Sequence, residues 1–260
     1  MGVNIQELNT AQRLVVEYLL DSLSPVNGRE MFQFCQIGAN DSVSGDNYLH
    51  KRLAQNNWRG VMVEPLPHVY SQLNMNVAGF PGVVTENCAI SAAEGEVTLY
   101  YPEDRTMLAS VDPNVVLSHG VDAASIKQAA VPCKTLDQLL DAHQLHDLDL
   151  LMIDTEGHDL QVLKSLDPQR SSVQLALIEI KHISENDLIQ MQDFLTGMNL
   201  VSIPMGADLV AIRTNRENKA IVNLIAGIFR EFRNMERRNM AQLIKISDLY
   251  RDTVARTPRS

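Results

Sequence analysis

The chain has 260 residues, of which 45% are hydrophobic and 21% are charged, and this composition excludes a disordered protein. No apolar run approaches the roughly 18 residues that span a membrane, and the N-terminal sequence lacks the basic start and apolar core of a secretory signal. The net charge of −10 argues against nucleic acid as a partner, and the three cysteines form no CxxC pair that would indicate a zinc site or a disulfide framework. We therefore expect a cytoplasmic protein with one large domain and appendages.

Strands and helices alternate along most of the chain, after a first helix that is predicted for residues 5–23. Short apolar runs predict buried strands, and the segments between them have helical spacing. This alternation predicts an α/β fold, with a mostly parallel sheet that is covered by helices on both faces. The predicted strands cover 31–37, 60–64, 83–90, 148–153 and 173–180, and the predicted helices cover 46–57, 65–76, a segment after Gly157, and 185–197.

Three segments depart from this simple alternation. Residues 96–101 alternate in polarity after a turn, which suggests an added edge strand. Residues 102–132 lack strong periodicity, as active-site lids and substrate loops often do. Residues 200–203 and 209–212 flank the turn Pro-Met-Gly-Ala-Asp and are predicted to form a terminal hairpin.

The end of the chain has its own charge and pattern. Residues 215–260 carry ten Lys and Arg against five Asp and Glu, whereas the rest of the chain carries 12 against 27. An apolar stripe from 217 to about 254 predicts one long amphipathic helix, which must pack on the acidic body or on a second subunit. A homodimer through this helix is therefore possible, and membrane insertion is not predicted. The predicted organisation is an N-terminal helical segment (1–30), a central domain (31–213) and a C-terminal basic amphipathic helix (214–260).

Ligands of open parallel sheets bind beyond the carboxyl ends of the strands, and candidate ligand contacts follow the first two predicted strands. Gly38 permits a tight turn and a close backbone approach to a ligand, although a glycine after a strand is more often only a turn. The GxGxxG pattern of dinucleotide binders is absent, because Asn40 occupies its second glycine position. Glu64 is placed where an acid accepts both hydroxyls of a ribose, or where it is simply a solvated carboxylate.

The ends of the later strands bring acids and histidines to the same edge of the predicted sheet. Residues 86–90 carry small side chains that would suit an adenine ring, although an ordinary strand end has the same composition. Residues 153–159 hold three acids and a histidine at the start of a helix, and helix capping explains only part of this set. Glu179 and His182 end the next strand. Converging groups of these types suit general acid–base catalysis or a hard cation.

Six sequence blocks occur in an order and spacing that resemble the FkbM-type S-adenosylmethionine-dependent methyltransferases over roughly residues 31–213. They are QIGAND, VEPLP, ENCAIS, TLDQLL, LLMIDTEGHDLQVLKSL and LIEIKHIS. The resemblance implies a Rossmann-like, seven-stranded class I methyltransferase sheet that ends in an antiparallel hairpin. It also implies that S-adenosyl-L-methionine donates a methyl group to a hydroxyl of a small molecule, sugar or glycan.

The resemblance also implies which residues contact the methyl donor, with Glu64 on the ribose hydroxyls and Asp154 near the amino-acid end. The chain departs from the family pattern at two positions, since Gln36 stands where an acid is usual and Ser42 where glycine is frequent. Gln36 would accept a hydrogen bond from the donor ammonium without charge assistance. The implied donor contacts are Gln36, Gly38, Ala39, Asn40, Glu64, Pro65, Asn87, Ala89 and Asp154.

An alcohol is a poor nucleophile, so methyl transfer to oxygen benefits from a base beside the acceptor. We predict His182 as this base, followed by Glu179 and then by Glu156 and His158, although a histidine after a strand is equally often an ordinary surface residue. A divalent ion held by Asp154, Glu156 and Glu179 is the rival way to lower the pKa of the hydroxyl. Because no ligand spacing compels a metal, the sequence predicts none.

Two other interpretations stay open at this point. A nicotinamide-dependent oxidoreductase uses a similar sheet, but the missing glycines and the terminal hairpin oppose it. A methyltransferase fold that has lost its chemistry and serves as an assembly module is the second, because Gln36 and Ser42 depart from the family pattern. The sequence does not name the acceptor, since acceptor pockets are built from variable loops.

Overall fold

The computed structural model describes residues 5–22, 28–44, 48–55 and 57–214, together with residues 25, 222 and 227. Strands and helices alternate along them, as the sequence predicts. The strands are β1 (Phe32–Ile37), β2 (Trp58–Val63), β3 (Val83–Glu86), β4 (Ala89–Ile90), β5 (Gly95–Pro102), β6 (Ile126–Lys134), β7 (Asp147–Ile153), β8 (Ser172–Glu179), β9 (Leu200–Met205) and β10 (Asp208–Arg213). The helices are α1 (Ile5–Ser22), α2 (His50–Leu53), α3 (Pro67–Val77), α4 (Pro113–Ser118), α5 (Leu136–His143), α6 (Asp159–Lys164) and α7 (Glu185–Gly197).

Seven strands form the main sheet, in the order β3-β2-β1-β7-β8-β10-β9. The neighbouring strands from β3 to β8 pair in parallel, whereas β10 runs antiparallel to both β8 and β9. The predicted terminal hairpin is therefore confirmed, and so is the class I Rossmann-like sheet. The strand order reverses between β1 and β7, which makes the carboxyl ends of these two strands the expected ligand site.

The central strands are nearly continuous apolar runs because helices cover both faces of the sheet. In β1, Cys35 and Ile37 join one apolar cluster, whereas Phe32 and Phe34 join the other. Helices α5, α6 and α7 supply side chains to the first cluster, and α1, α2 and α3 supply side chains to the second. Burial on two faces thus fixes the alternation of side chains along each strand.

Helix α1 packs on the body through Val16, Leu19 and Leu20, which are buried in the second cluster. A buried guanidinium fastens the helix, because Arg52 of α2 donates to the Glu17 carboxylate and, at 2.6 Å, to Asp21 Oδ1. The Arg52 side chain is only 4% exposed. Removing both acids would take the charged partners from a buried guanidinium, so this contact helps to hold α1 against the sheet.

A second sheet has three strands, in the order β4-β6-β5, and it explains two of the segments that depart from simple alternation. Residues 96–101 form an edge strand, as predicted, but it belongs to this small sheet, because β5 pairs antiparallel with β6. Residues 102–132 are not irregular throughout, since they contain α4 and the beginning of β6. The pairing of β5 with β6 is non-local, and alternating polarity alone does not reveal which partner a strand has.

Other boundaries also differ from the predictions. The predicted helix 46–57 is only one turn long within the described residues of that range, and the predicted strand 83–90 divides into β3 of the main sheet and β4 of the small sheet. The predicted C-terminal helix (214–260), with the dimer it suggests, lies outside the described residues except for 214, 222 and 227. None of the described helices is long and apolar enough to cross a membrane.

Candidate active site

A cavity of about 580 Å³ opens at the carboxyl ends of the parallel strands, where the strand order reverses. Ten of the twelve residues that the sequence predicts as donor-binding or catalytic lie in its wall. The two exceptions are Asn87 and His182. The cavity therefore brings together residues that are more than 140 positions apart in the chain. The ten are Gln36, Gly38, Ala39, Asn40, Glu64, Pro65, Ala89, Asp154, Glu156 and Glu179.

The turn after β1 is built around Gly38, which has φ of 76°. A Cβ at this position would lie 1.7 Å from the backbone oxygen of Asp154, so only glycine fits. The Gly38 and Ala39 N–H groups both donate to the Val63 carbonyl, at 3.0 and 2.9 Å. Ser42 also has a positive φ, of 68°, a backbone conformation that favours glycine.

Glu64 follows β2 and is 7% exposed. Its Oε2 accepts the Asn40 N–H at 3.1 Å, and its Oε1 accepts the Leu66 N–H at 2.9 Å. Burial raises the pKa of Glu64 to about 7, because its effect is larger than that of the two hydrogen bonds, which lower the pKa. Asn87 lies behind this residue and donates from Nδ2 to the Glu64 and Pro65 carbonyls, so it supports the backbone.

Three carboxylates meet at the ends of β7 and β8, where oxygen atoms of Asp154, Glu156 and Glu179 lie within 4.8 Å of one another. Burial, followed by the charge of the neighbouring carboxylates, raises the pKa of Asp154 to about 7 and that of Glu179 to about 9. Burial also raises the pKa of Glu156. The Glu179 Oε2 and Gln36 Oε1 atoms are buried without a hydrogen-bond partner in the described structure. Such a cluster is suited to a cationic ligand, which would satisfy these oxygens.

Asp159 has a structural role in the acidic block. It is fully buried and accepts hydrogen bonds from the Thr155 N–H, the Thr155 hydroxyl and the Gly157 N–H. These bonds hold a turn in which Glu156 has φ of 49°, an unusual value for a residue with a side chain. The Ser110 hydroxyl donates to the Glu156 carbonyl at 2.7 Å and fixes the turn from the other side.

His182, the first candidate for the base, lies beside Glu156 and outside the cavity wall. Its Nε2 is 3.1 Å from Glu156 Oε2 and 3.1 Å from the Nε2 of His119. Burial lowers the pKa of both histidines, and Lys181 lowers them further. His158 does line the cavity, and its Nε2 is 2.8 Å from the Ser91 hydroxyl. The catalytic role of His182 stays a prediction.

Several wall residues were not predicted from the sequence. Arg13 and Val16 come from α1, and Ser44 and Tyr48 come from the loop before α2. The segment after β5 contributes Thr106, Met107, Ala109 and Val111. The segment after β5 belongs to the range that the missing periodicity identified as a substrate loop. No local signal in the sequence indicates that α1 reaches the cavity, because only its packing through the second apolar cluster brings it there.

The comparison with known families identifies a match over most of the cavity-forming region. The sequence profile described as the methyltransferase FkbM domain matches residues 36–200, which is more than half of the chain. Hexuronic acid methyltransferase AglP from Haloferax volcanii is 25% identical over 120 residues. The matched part is 45% of this chain and 45% of that protein, so the chain matches less than half the length of this curated relative.

The solved structures that match the chain have low sequence identity to it. Precorrin-6y C5,15-methyltransferase from Geobacter metallireducens GS-15 is 12% identical, has a TM-score of 0.40, and the match covers 77% of this chain and 85% of the other. The fibrillarin pre-rRNA processing protein of Methanococcus jannaschii is 9% identical, has a TM-score of 0.41, and the match covers 78% and 75%.

Proposed function

Because the chain belongs to the FkbM methyltransferase domain family, we propose that its methyl donor is S-adenosylmethionine and that it methylates a hydroxyl of a small molecule or glycan. The observation that carries this proposal is the cavity whose wall contains both Glu64 and the acidic cluster of Asp154, Glu156 and Glu179. When bound, S-adenosylmethionine would supply a methyl group on a positively charged sulfur. The acceptor oxygen would attack the methyl carbon, and the carbon–sulfur bond would break.

The residues around the cavity fit the chemical groups of this donor. Each carboxylate oxygen of Glu64 accepts one backbone N–H. Each can accept a further hydrogen bond, which a ribose hydroxyl would donate. The buried, unpartnered Gln36 Oε1 is an acceptor for an ammonium group. Gly38 leaves room for the amino-acid part, because no side chain projects from the turn.

Charge supports a cationic donor over a neutral or anionic cofactor. The acidic cluster holds its carboxylates at raised pKa values because burial and mutual repulsion disfavour their ionised forms. A ligand with positive charge would relieve this repulsion, whereas the pyrophosphate of a nicotinamide cofactor would increase it. The same charge favours release of the product, because S-adenosylhomocysteine has lost the positive charge on sulfur.

We propose Glu179 as the general base, because it lines the cavity and has an oxygen that is buried without a hydrogen-bond partner. Burial and the neighbouring carboxylates raise the pKa of Glu179 to about 9, which makes it a stronger base than an ordinary carboxylate. The base takes the hydroxyl proton as the acceptor oxygen attacks. Thr106, Met107, Ala109 and Val111 also line the cavity, and we propose that this segment positions the acceptor.

Two observations favour a sugar acid as the acceptor. The curated relative is named for hexuronic acid, which is a sugar with a carboxylate. Arg13 is the one Lys or Arg in the part of the cavity wall that the structure describes, and a guanidinium is well suited to a carboxylate. We therefore propose uronic acids as the first acceptors to screen.

Glu64→Gln is expected to weaken S-adenosylmethionine binding by about 10–100-fold, because a neutral amide replaces a charged acceptor of hydroxyl hydrogen bonds. Calorimetry measures this change. Glu86→Gln is the matched control, since Glu86 ends the neighbouring strand but pairs with Lys134 and His143 and does not line the cavity. Equal donor affinity of Glu64→Gln and the wild type, with both proteins folded, would refute the assignment of Glu64 to the donor.

A further inference from the structure

Three metal-ligating atoms from separate parts of the chain meet beside the cavity. His119 directly follows α4, Glu156 follows β7, and His182 follows β8. The two Nε2 atoms are 3.1 Å apart, and Glu156 Oε2 lies 3.1 Å from His182 Nε2 and 3.6 Å from His119 Nε2. We propose that these three residues bind one divalent transition-metal ion, with zinc as the first candidate.

The distances between the three atoms match one face of a tetrahedral zinc site. Zinc lies about 2.0–2.1 Å from imidazole nitrogen and carboxylate oxygen, so at tetrahedral angles two ligand atoms lie about 3.3 Å apart. The three observed separations run from 3.1 to 3.6 Å. Two histidines and one glutamate also form a ligand set that zinc uses when its fourth position is left to water or substrate.

Hydrogen bonds do not satisfy this arrangement. A proton on the Nε2 of one ring can bridge His119 and His182, but Glu156 Oε2, although it lies 3.1 Å from His182 Nε2, is buried without a hydrogen bond of acceptable geometry. Protons on both Nε2 atoms would place two N–H groups against each other. A cation between the three atoms resolves the conflict, because all three lone pairs can point at it.

The charges around the cluster also favour a cation. Asp154 and Glu179 have oxygens within 4.8 Å of the Glu156 carboxylate, and the fully buried Asp159 lies in the same turn. Lys181 and, beside His119, Arg105 are the opposing charges, and the carboxylates outnumber them. A divalent ion would therefore reduce the repulsion at this end of the sheet.

Such an ion would fasten the cavity wall. The segment from 106 to 111 contributes to the wall, and α4 follows it directly, so a ligand bond at His119 ties this segment to the ends of β7 and β8. The packing at this point is already close, because a Cβ on Gly157 would lie 3.3 Å from both His182 and Val115. The metal would also fix the Glu156 carboxylate, which lines the cavity.

The test measures Zn²⁺ binding to the full-length chain without methyl donor, so its result does not depend on the proposed function. The chain is stripped with a chelator, dialysed against Zn²⁺ and analysed for bound metal, and Co²⁺ is used as the spectroscopic probe. We expect one Zn²⁺ per chain, the visible absorption of four-coordinate Co²⁺, and a Tm raised by about 5–10 °C at 100-fold excess over the Kd. His119→Gln and His182→Gln are each expected to weaken binding by at least about 10²-fold.

His146→Gln is the matched control, because the half-buried His146 precedes β7, whereas Glu156 follows it, and His146 Nε2 lies 3.4 Å from Asp141 Oδ1. It is expected to bind Zn²⁺ like the wild type. The proposal is overturned if the wild type retains no stoichiometric Zn²⁺, or if both ligand variants retain as much as the wild type. If one ligand variant does not fold, the other gives the same comparison.

Discussion

Glu179→Gln is expected to lower kcat for methyl transfer by about 10²-fold while changing S-adenosylmethionine affinity much less. Glutamine keeps the shape of the side chain, but it cannot take the proton of the acceptor hydroxyl. Steady-state kinetics with an accepted hydroxyl substrate and calorimetry with the donor measure the two effects separately. The wild-type kcat should also rise with pH as Glu179 loses its proton, and this rise should disappear in the variant.

The matched control for this experiment is Glu185→Gln in the first turn of α7. Glu185 is exposed and lies outside the cavity wall, so the change removes the same charge without touching the site. An unchanged kcat in Glu179→Gln would contradict the proposed base. Parallel losses of donor affinity and kcat would mean that Glu179 binds the donor instead.

Gly38→Ala is expected to lower the free energy of unfolding by about 2–5 kcal/mol and to abolish measurable donor binding. The added Cβ meets the Asp154 backbone oxygen at 1.7 Å, so the turn after β1 and the end of β7 must separate. The positive φ of 76° adds strain for any residue with a side chain. Denaturant unfolding measures the stability, and calorimetry measures the binding.

Gly120→Ala separates the two causes, because Gly120 has nearly the same φ, of 72°, and an added Cβ there meets no atom within 4 Å. This variant should lose only the part of the stability that comes from the backbone conformation, about 1 kcal/mol. Equal losses in Gly38→Ala and Gly120→Ala would contradict the close approach of the first turn to β7.

The sequence predicts the main sheet and most of the donor side of the cavity, for a physical reason. Buried parallel strands leave continuous apolar runs, and the residue after each run lies at the same edge of the sheet. The sequence therefore predicts that Gly38, Glu64 and Asp154 lie at one edge of the sheet. Their exposed fractions and pKa directions depend on packing and could not be predicted.

The parts of the site that the sequence missed depend on contacts between distant segments. The pairing of β5 with β6 spans a segment that has no periodicity of its own, so β6 was not recognised. Helix α1 reaches the cavity only because Arg52 and the second apolar cluster hold it. His119 has no sequence context of a ligand, and only the fold brings it to Glu156 and His182.

The raised pKa values of the cavity carboxylates make the stability of the folded chain depend on pH. Burial keeps a proton on Glu179 up to a pKa of about 9 and on Asp154 up to about 7, whereas the unfolded chain loses both protons near the ordinary carboxyl pKa. Between the ordinary carboxyl pKa and the raised pKa, the folded chain thus binds more protons than the unfolded chain. The stability that these two groups contribute therefore falls as the pH rises through that range. A cationic ligand favours the ionised carboxylates, so its binding should release protons.

Calorimetric titration of the full-length chain with S-adenosylmethionine at pH 7, in two buffers with different ionisation enthalpies, tests the central claim most directly. We predict saturable binding of one donor per chain, with a heat that differs between the buffers because protons are released from the acidic cluster, and no binding of NAD⁺ under the same conditions. Saturable binding of NAD⁺, or no binding of S-adenosylmethionine at millimolar concentration, would contradict the account.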